Sequence, residues 1–227
     1  MTKGLNPDAP MRDSGVEWIG EAPGHWDVKK LKYVAKGFMY GTSVDCNTES
    51  TGIPVLRIPN ISKGYLVLED LKYAKLSKQE EDNYLLQDDD ILIVRTNGNP
   101  QLVGRCALIK GTKRFMFASY LIKVTPQKNI EPQFLVTAMA SASVQDYLTH
   151  SARTSAGNYN LNTQSLSDAY LTYPPIGEQK QIVAYEQSIQ SNFGEMLDAL
   201  EKEICLLIEL KSCIISHAVT GKIKIPE

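Results

Sequence analysis

The 227-residue chain lacks any run approaching the roughly 18 consecutive apolar residues of a membrane span. Apolar segments such as Ile91–Val94 and Ile204–Ile208 are short. The opening Met-Thr-Lys-Gly-Leu-Asn-Pro-Asp has no apolar signal core. Its four cysteines (Cys46, Cys106, Cys205, Cys213) are scattered with no Cys-x-x-Cys pair. These features lead us to expect a reduced, cytoplasmic protein with no membrane association. The sequence has no Gly-x-Gly-x-x-Gly, no phosphate-binding Gly-Lys-Ser/Thr loop and no His-Glu-x-x-His. Its three histidines, His25, His150 and His217, lie far apart, so no metal ligand set is expected. Surplus charge is missing too: 24 basic against 26 acidic residues leave a net −2. As a total, that argues against a nucleic-acid partner, which leaves a basic footprint.

Three near-motifs are set aside. Asn97-Gly-Asn-Pro100 lacks the second proline and the aromatic of the amino-methyltransferase motif. Asp88-Asp89-Asp90 reads as a turn ahead of a strand. Glu178-Gln-Lys180 opens a helix, where acids suit the dipole.

What is present divides into three parts. Residues 1–15 carry Gly, Pro, Asp and Asn with no apolar period and are expected to be a flexible arm. Residues 16–175 alternate strand-like and helical runs, an α+β (mixed α/β) domain. Strands are expected at 53–58, 65–68, 91–95, 102–109 and 115–124. The capping box Ser77-Lys-Gln-Glu80 starts a helix over about 78–86. Pro132 starts a second, with Phe134, Leu135, Ala138, Met139, Ala142, Tyr147 and Leu148 at helical spacing. Residues 151–163 read as a polar loop.

Residues 176–227 differ. After Tyr173-Pro-Pro175 there is no proline until Pro226. Apolar side chains recur at Ile182, Tyr185, Ile189, Phe193, Met196, Leu200, Ile204, Leu207 and Ile215. Ile182, Phe193, Ile204 and Ile215 stand 11 apart, a period of about 3.67 residues per turn that follows a nearly straight helix. Over Glu178–Val219 the helix would be about 63 Å long, and its apolar stripe calls for another helix. We expect a dimer or a partner chain, with these nine residues at the interface. The alternative is a shorter helix folded back near Ser188, Ser191 or Gly194.

Charge is sorted along the chain. Residues 177–227 carry a net −3, and residues 69–90 hold eight acids against three lysines. Residues 91–130 hold seven cations and no acid, and residues 28–44 hold Lys29, Lys30, Lys32 and Lys36, again without an acid. Within the basic segment, Thr96, Asn97, Asn99 and Gln101 sit between Arg95 and Arg105. Arginine and asparagine pair bidentately with guanine and adenine edges, so a hairpin tip bearing them suits a major groove. The loop Arg153, Thr154, Ser155, Asn158, Tyr159 and Asn160 suits phosphate oxygens. Arg57, Asn60, Lys63, Lys113 and Arg114 complete the expected DNA-binding set. A solvated basic face on a protein-interaction adaptor, or a hydrolase with an unrecognised site, are the competing readings.

Several stretches taken in order carry a resemblance. They are Gly15-Val-Glu-Trp-Ile-Gly20 with Pro23-Gly-His-Trp26, then Asp90-Ile-Leu-Ile-Val-Arg-Thr-Asn-Gly98 and Val103-Gly-Arg105. Pro174-Pro-Ile-Gly-Glu-Gln179 and Ala218-Val-Thr-Gly-Lys-Ile223 follow. From about Ser14 to Ile225 the chain resembles the specificity (S) subunits of type I restriction–modification systems. The resemblance implies a non-catalytic, DNA-reading subunit. Its α/β domain would read one half of a two-part site, and its long helix would form an antiparallel coiled-coil spacer. It also implies methyltransferase (M) subunits that use S-adenosylmethionine and a restriction (R) subunit that uses ATP and Mg. The family carries two recognition domains and two spacer helices, whereas this chain has one of each between the opening and closing motifs. A complete half that pairs with a second copy, or with another half, is therefore expected, and a twofold pair would read an inverted repeat.

Overall fold

The computed structural model describes residues 4–111, 114–155 and 157–222, without the side chains of Arg153 and Ser155. The chain divides into two compact units, residues 1–183 and 184–227. It is mixed α/β with a long C-terminal helix.

The first unit is organised around a four-stranded antiparallel sheet in the order Ala35–Tyr40, Leu121–Pro126, Ile91–Val94, Cys106–Leu108. Side chains alternate between the faces of a strand, and here both faces are apolar. Ile91, Ile93, Ile122 and Val124 join one core cluster, with Phe134, Leu135, Leu148 and Ile182. Leu92, Val94, Ala107 and Leu121 join another, with Leu56, Ile61 and Phe117. Three segments at Ile53–Leu56, Lys72–Ala74 and Met116–Phe117 form a smaller sheet.

Local chemistry accounts for the helices. Helix α1 (Lys78–Tyr84) begins at the capping box: the Glu80 amide donates to Ser77 Oγ at 3.4 Å, and the Ser77 amide donates to Glu80 Oε2 at 3.1 Å. The single helix expected after Pro132 is two, α2 (Pro132–Met139) and α3 (Ala142–Ser151). The Ser141 hydroxyl donates back to the Ala138 carbonyl at 2.7 Å at the break, a local bond that competes with helix continuation. Helix α4 (Thr163–Ser167) is capped by Asn162, whose Oδ1 accepts from the Ser165 amide at 2.7 Å.

Helix α5 (Ile176–Val219) covers 44 residues, about 66 Å at 1.5 Å per residue. Its first turns belong to the first unit and explain the Pro-Pro-x-x-Glu-Gln stretch. Gln179 is fully buried, accepting from the Glu131 amide at 2.9 Å and donating to the Pro174 carbonyl at 2.8 Å. Ile182 and Val183 are buried beside it. No described helix is long and apolar enough to cross a membrane.

Elsewhere the elements differ from the sequence reading. Met11–Asp13, placed in the arm, pairs antiparallel with Glu21–Pro23, and Arg12 Nη2 donates to the Trp26 carbonyl at 2.6 Å. The strand expected at 102–109 is a 3₁₀ turn followed by Cys106–Leu108. Residues 65–68 form only an isolated bridge, Ile61 to Leu66.

Candidate nucleic-acid interface

Two segments distant in sequence meet on one small sheet. Residues 151–163 are not an open loop: Arg153–Ser155 and Asn158–Asn160 form a hairpin, whose second strand pairs antiparallel with Thr96–Asn97. Tyr159 lies opposite Asn97, and Asn160 opposite Thr96. Tyr159 packs on the main core. Asn158 and Asn160 therefore fall on the other face, and both are exposed. Thr154 is exposed, and Thr96 and Asn97 are half-buried.

The tip that continues from this sheet is built by side chains bonding to their own backbone. Asn97 Oδ1 accepts from the Asn99 amide at 2.8 Å, and Asn99 Oδ1 from the Gln101 amide at 3.0 Å. These bonds engage both amide oxygens, and Asn97, directly opposite Tyr159, shares the Tyr159 face of the sheet and is half-buried. An Asn that reads adenine bidentately uses its oxygen as well as its nitrogen.

Beyond the tip, Lys63, Gln101 and Arg105 line one cavity of about 240 Å³ with Gly64, Cys106, Ala140 and Gln145. Gln145, unmarked by any sequence signal, shapes it by donating to the Gly104 and Met139 carbonyls at 3.0 and 2.8 Å. Gly104 has φ +81, which strains any side chain, and a Cβ there would sit 2.9 Å from Leu148 Cδ1, which would have to shift. Burial pushes the Cys106 thiol up to about 12, so the cavity presents two cations and no thiolate.

Four expected contacts are otherwise engaged. Asn60 is a correction: it is fully buried, donating to the Val67 and Glu69 carbonyls at 2.9 and 3.0 Å while accepting from the Arg57 amide. Arg57 Nη2 is bound to the Asp70 carbonyl at 2.8 Å and Oδ2 at 3.2 Å. Lys72, with Arg57, holds the Asp70 carboxyl below its ordinary range. Arg95 is stacked 4.2 Å over the Tyr40 ring and donates through Nη1 to the Ser119 carbonyl at 3.2 Å. Arg114 pairs with Glu81 at 3.4 Å. Lys113 and the side chains of Arg153 and Ser155 lie outside the described groups.

The sorted charge also changes meaning on folding. Lys110 pairs with Asp89, Arg114 with Glu81, and Lys123 with the buried Asp90 at 3.8 Å. Each pair joins a cation of the basic run to an acid of the run before it. In the other basic run, Lys30 and Lys32 share Asp168 at 3.1 and 2.9 Å, and Lys29 lies 4.0 Å over the Tyr173 ring. Three of the seven cations in the basic segment are therefore balanced by acids of the run before it.

Of the nine expected interface residues on the helix, Ile182 is a correction. It is 1% exposed, inside the core of the first unit, and cannot meet another chain. Tyr185, Phe193, Met196, Leu200, Ile204, Leu207 and Ile215 are exposed, Ile189 is half-buried, and Leu197, Ile208 and Ile214 extend the exposed set.

Comparison with known proteins agrees with this architecture. The specificity subunit of the type I restriction enzyme EcoKI from Escherichia coli K12 is 23% identical over 211 residues, covering 91% of this chain and 46% of the relative. The putative MjaX specificity subunit of Methanocaldococcus jannaschii is 28% identical over 205 residues, covering 89% and 47%. The chain thus spans about half the length of these curated relatives. Among solved structures, one from work on complex assembly and conformational transition of the type I R-M system aligns with TM-score 0.65 at 18% identity. That alignment covers 95% of this chain and 48% of the other. The HsdS subunit from Thermoanaerobacter tengcongensis aligns with TM-score 0.55 at 19% identity, covering 83% and 42%. Residues 23–210 match the domain described as "Type I restriction modification DNA specificity domain", and the chain belongs to that family.

Proposed function

We propose that this chain is a DNA-reading subunit of a type I restriction–modification enzyme and that its first unit reads one half of a two-part site. The observation that carries this is the convergence of residues 96–101 and 153–160 on one sheet. Two segments nominated separately for base and phosphate chemistry become neighbours. The exposed Asn99 amide group offers donors to base edges, the hairpin offers amides and a hydroxyl, and Lys63 and Arg105 offer charge to the phosphates.

Chemistry resides in the partners. Methyltransferase subunits modify adenine with S-adenosylmethionine, a restriction subunit uses ATP and Mg, and this chain holds both on the chosen sequence in the cytoplasm. Two copies pair through the exposed apolar side chains of residues 185–215 in an antiparallel coiled coil. Twofold symmetry then places two equal recognition domains on an inverted repeat.

Co-expression of the chain with its methyltransferase, followed by mapping of methylated adenines, tests this directly. The expected result is a two-part, inverted-repeat motif that disappears without this chain. Methylation that is absent, or that does not depend on this chain, overturns the proposal. Binding should also weaken steeply as salt rises.

A further inference from the structure

We infer that Tyr120, held in place by Arg95, is a DNA contact whose ring stacks on bases at a step opened beside the half-site. The inference rests on the DNA-reading proposal above and assigns it a residue outside the polar and charged set. Tyr120 is 54% exposed and belongs to none of the core clusters. A ring in water offers no stability, so its surroundings decide what it is for.

The turn that carries it is pinned from three other segments. The Leu121 amide closes the turn on the Ala118 carbonyl at 3.0 Å. The Ala118 amide donates to the Leu56 carbonyl at 3.0 Å, and the Ser119 amide to the Thr42 carbonyl at 2.8 Å. The Ser119 carbonyl accepts from Arg95 Nη1, and the Tyr120 carbonyl from the Arg95 amide at 2.9 Å. At Gly41 a Cβ would lie 2.2 Å from the Phe117 carbonyl oxygen, so only glycine lets that strand approach the turn this closely. A ring on so fixed a backbone is pre-organised, and binding needs little further ordering.

Arg95 also ties this turn to the proposed reading sheet. Its guanidinium stacks on Tyr40, whose hydroxyl accepts from the Thr163 amide at 3.1 Å, and its carbonyl accepts from the Leu161 amide at 2.9 Å. The next residue, Thr96, pairs with Asn160. The Tyr120 carbonyl is therefore bonded to the residue immediately before the sheet that carries Asn97, Asn158 and Asn160. Those polar groups suit base edges and phosphates. A large exposed ring on the turn bonded to this strand suits a base face, the one surface of DNA they do not match. Arg95 acts through the turn and is a positioning residue.

The test uses the complex with its methyltransferase on duplexes carrying the mapped two-part motif. 2-Aminopurine replaces purines along and beside each half-site, avoiding the methylated adenines. The wild-type complex should raise fluorescence at one flanking step. Tyr120→Ala should remove that rise and weaken binding roughly tenfold to a hundredfold, while Tyr120→Trp and Tyr120→Phe keep it. Arg95→Lys should remove the rise as well, and adding Tyr120→Ala to it should cost little further affinity, the mark of two residues acting through one contact. Unchanged fluorescence and affinity in Tyr120→Ala overturn the inference. So does a loss of methyltransferase assembly instead of DNA contact, which would make Tyr120 a protein-facing residue. Failure of the wild-type complex to bind any duplex overturns the DNA-reading proposal itself, a separate result.

Discussion

Ile182, Phe193, Ile204 and Ile215 share one 11-residue period, yet the two units treat them oppositely. Ile182 is 1% exposed within residues 1–183, whereas Phe193, Ile204 and Ile215 are 60%, 56% and 53% exposed within residues 184–227. A hydrophobic period reports that one face of a helix is apolar and is silent on what covers it. In the first unit the chain's own sheet and helices cover it. In the second, no described side chain of the unit buries it. A stripe that leaves large side chains such as Phe193, Met196, Leu197 and Leu207 in water marks a surface that association would cover.

The largest effect should come from turning that exposed face polar. Phe193→Glu with Ile204→Glu places four charges in a twofold helix pair and removes four side chains, each worth about 1.5–3 kcal/mol when buried. Sedimentation at micromolar concentration should shift from dimer to monomer, while thermal unfolding of the first unit stays where it was. A dimer that survives both charges would place the association surface elsewhere. The two-part methylation motif should be lost together with the dimer.

The mirror experiment is Ile182→Ala. A large-to-small change in a sealed core costs about 2–5 kcal/mol, so the melting temperature should drop by many degrees. The folded fraction should still associate like wild type. If instead Ile182→Ala weakened association and spared the melting temperature, the division of the stripe at Val183 would be wrong.

These two experiments separate what the residues announced from what only folding decides. The strand at Ile91–Val94, the capping box at Ser77, the start at Pro132 and the long final helix were all legible, because each depends on neighbours in sequence. Pairing across distance was not. Nothing local says that the hairpin at 153–160 adds to Thr96–Asn97, or that Asn60 turns inward to the Val67 and Glu69 carbonyls. Charge misled most. The acidic run before Ile91 and the basic run after it looked like separate surfaces, but Asp89, Glu81 and Asp90 are partners of Lys110, Arg114 and Lys123. At the candidate site the legible part was residue type. Nothing local announced that Arg95, one of the expected DNA contacts, stacks on Tyr40 and donates to the Ser119 carbonyl.

Gln179 sharpens the contrast on the polar side. Removing its amide with Gln179→Ala orphans the part-buried Glu131 N–H and the buried Pro174 carbonyl. A buried group left unsatisfied costs about 1–3 kcal/mol, so chemical denaturation should show a loss somewhat smaller than that of Ile182→Ala, with association again unchanged. A neutral outcome would mean that the base of the helix is held by Ile182 and Val183 alone.

Acid gives the mildest lever, because it loosens the first unit without touching any apolar side chain on the helix. Lys32 first, then Gln164 and Lys30, stabilise the Asp168 carboxylate by hydrogen bonding, which holds it well below its ordinary 3.8. A carboxyl depressed in the folded state contributes stability above its unfolded pKa and loses it as pH falls through the folded one. Lys30 mirrors this at the other end. Asp168 raises its pKa above 10.5, so that contribution is present below 10.5 and fades as pH rises through the folded value. Asp168→Asn should therefore be less stable than wild type across neutral pH, by a margin that shrinks below pH 3.8 and again in strong alkali. The group sits at the surface, so the margin should be the smallest of these effects. Denaturant midpoints measured for both proteins from pH 2 to 8 would show it, and coincident curves would mean that the Lys30–Asp168–Lys32 cluster adds nothing to folding.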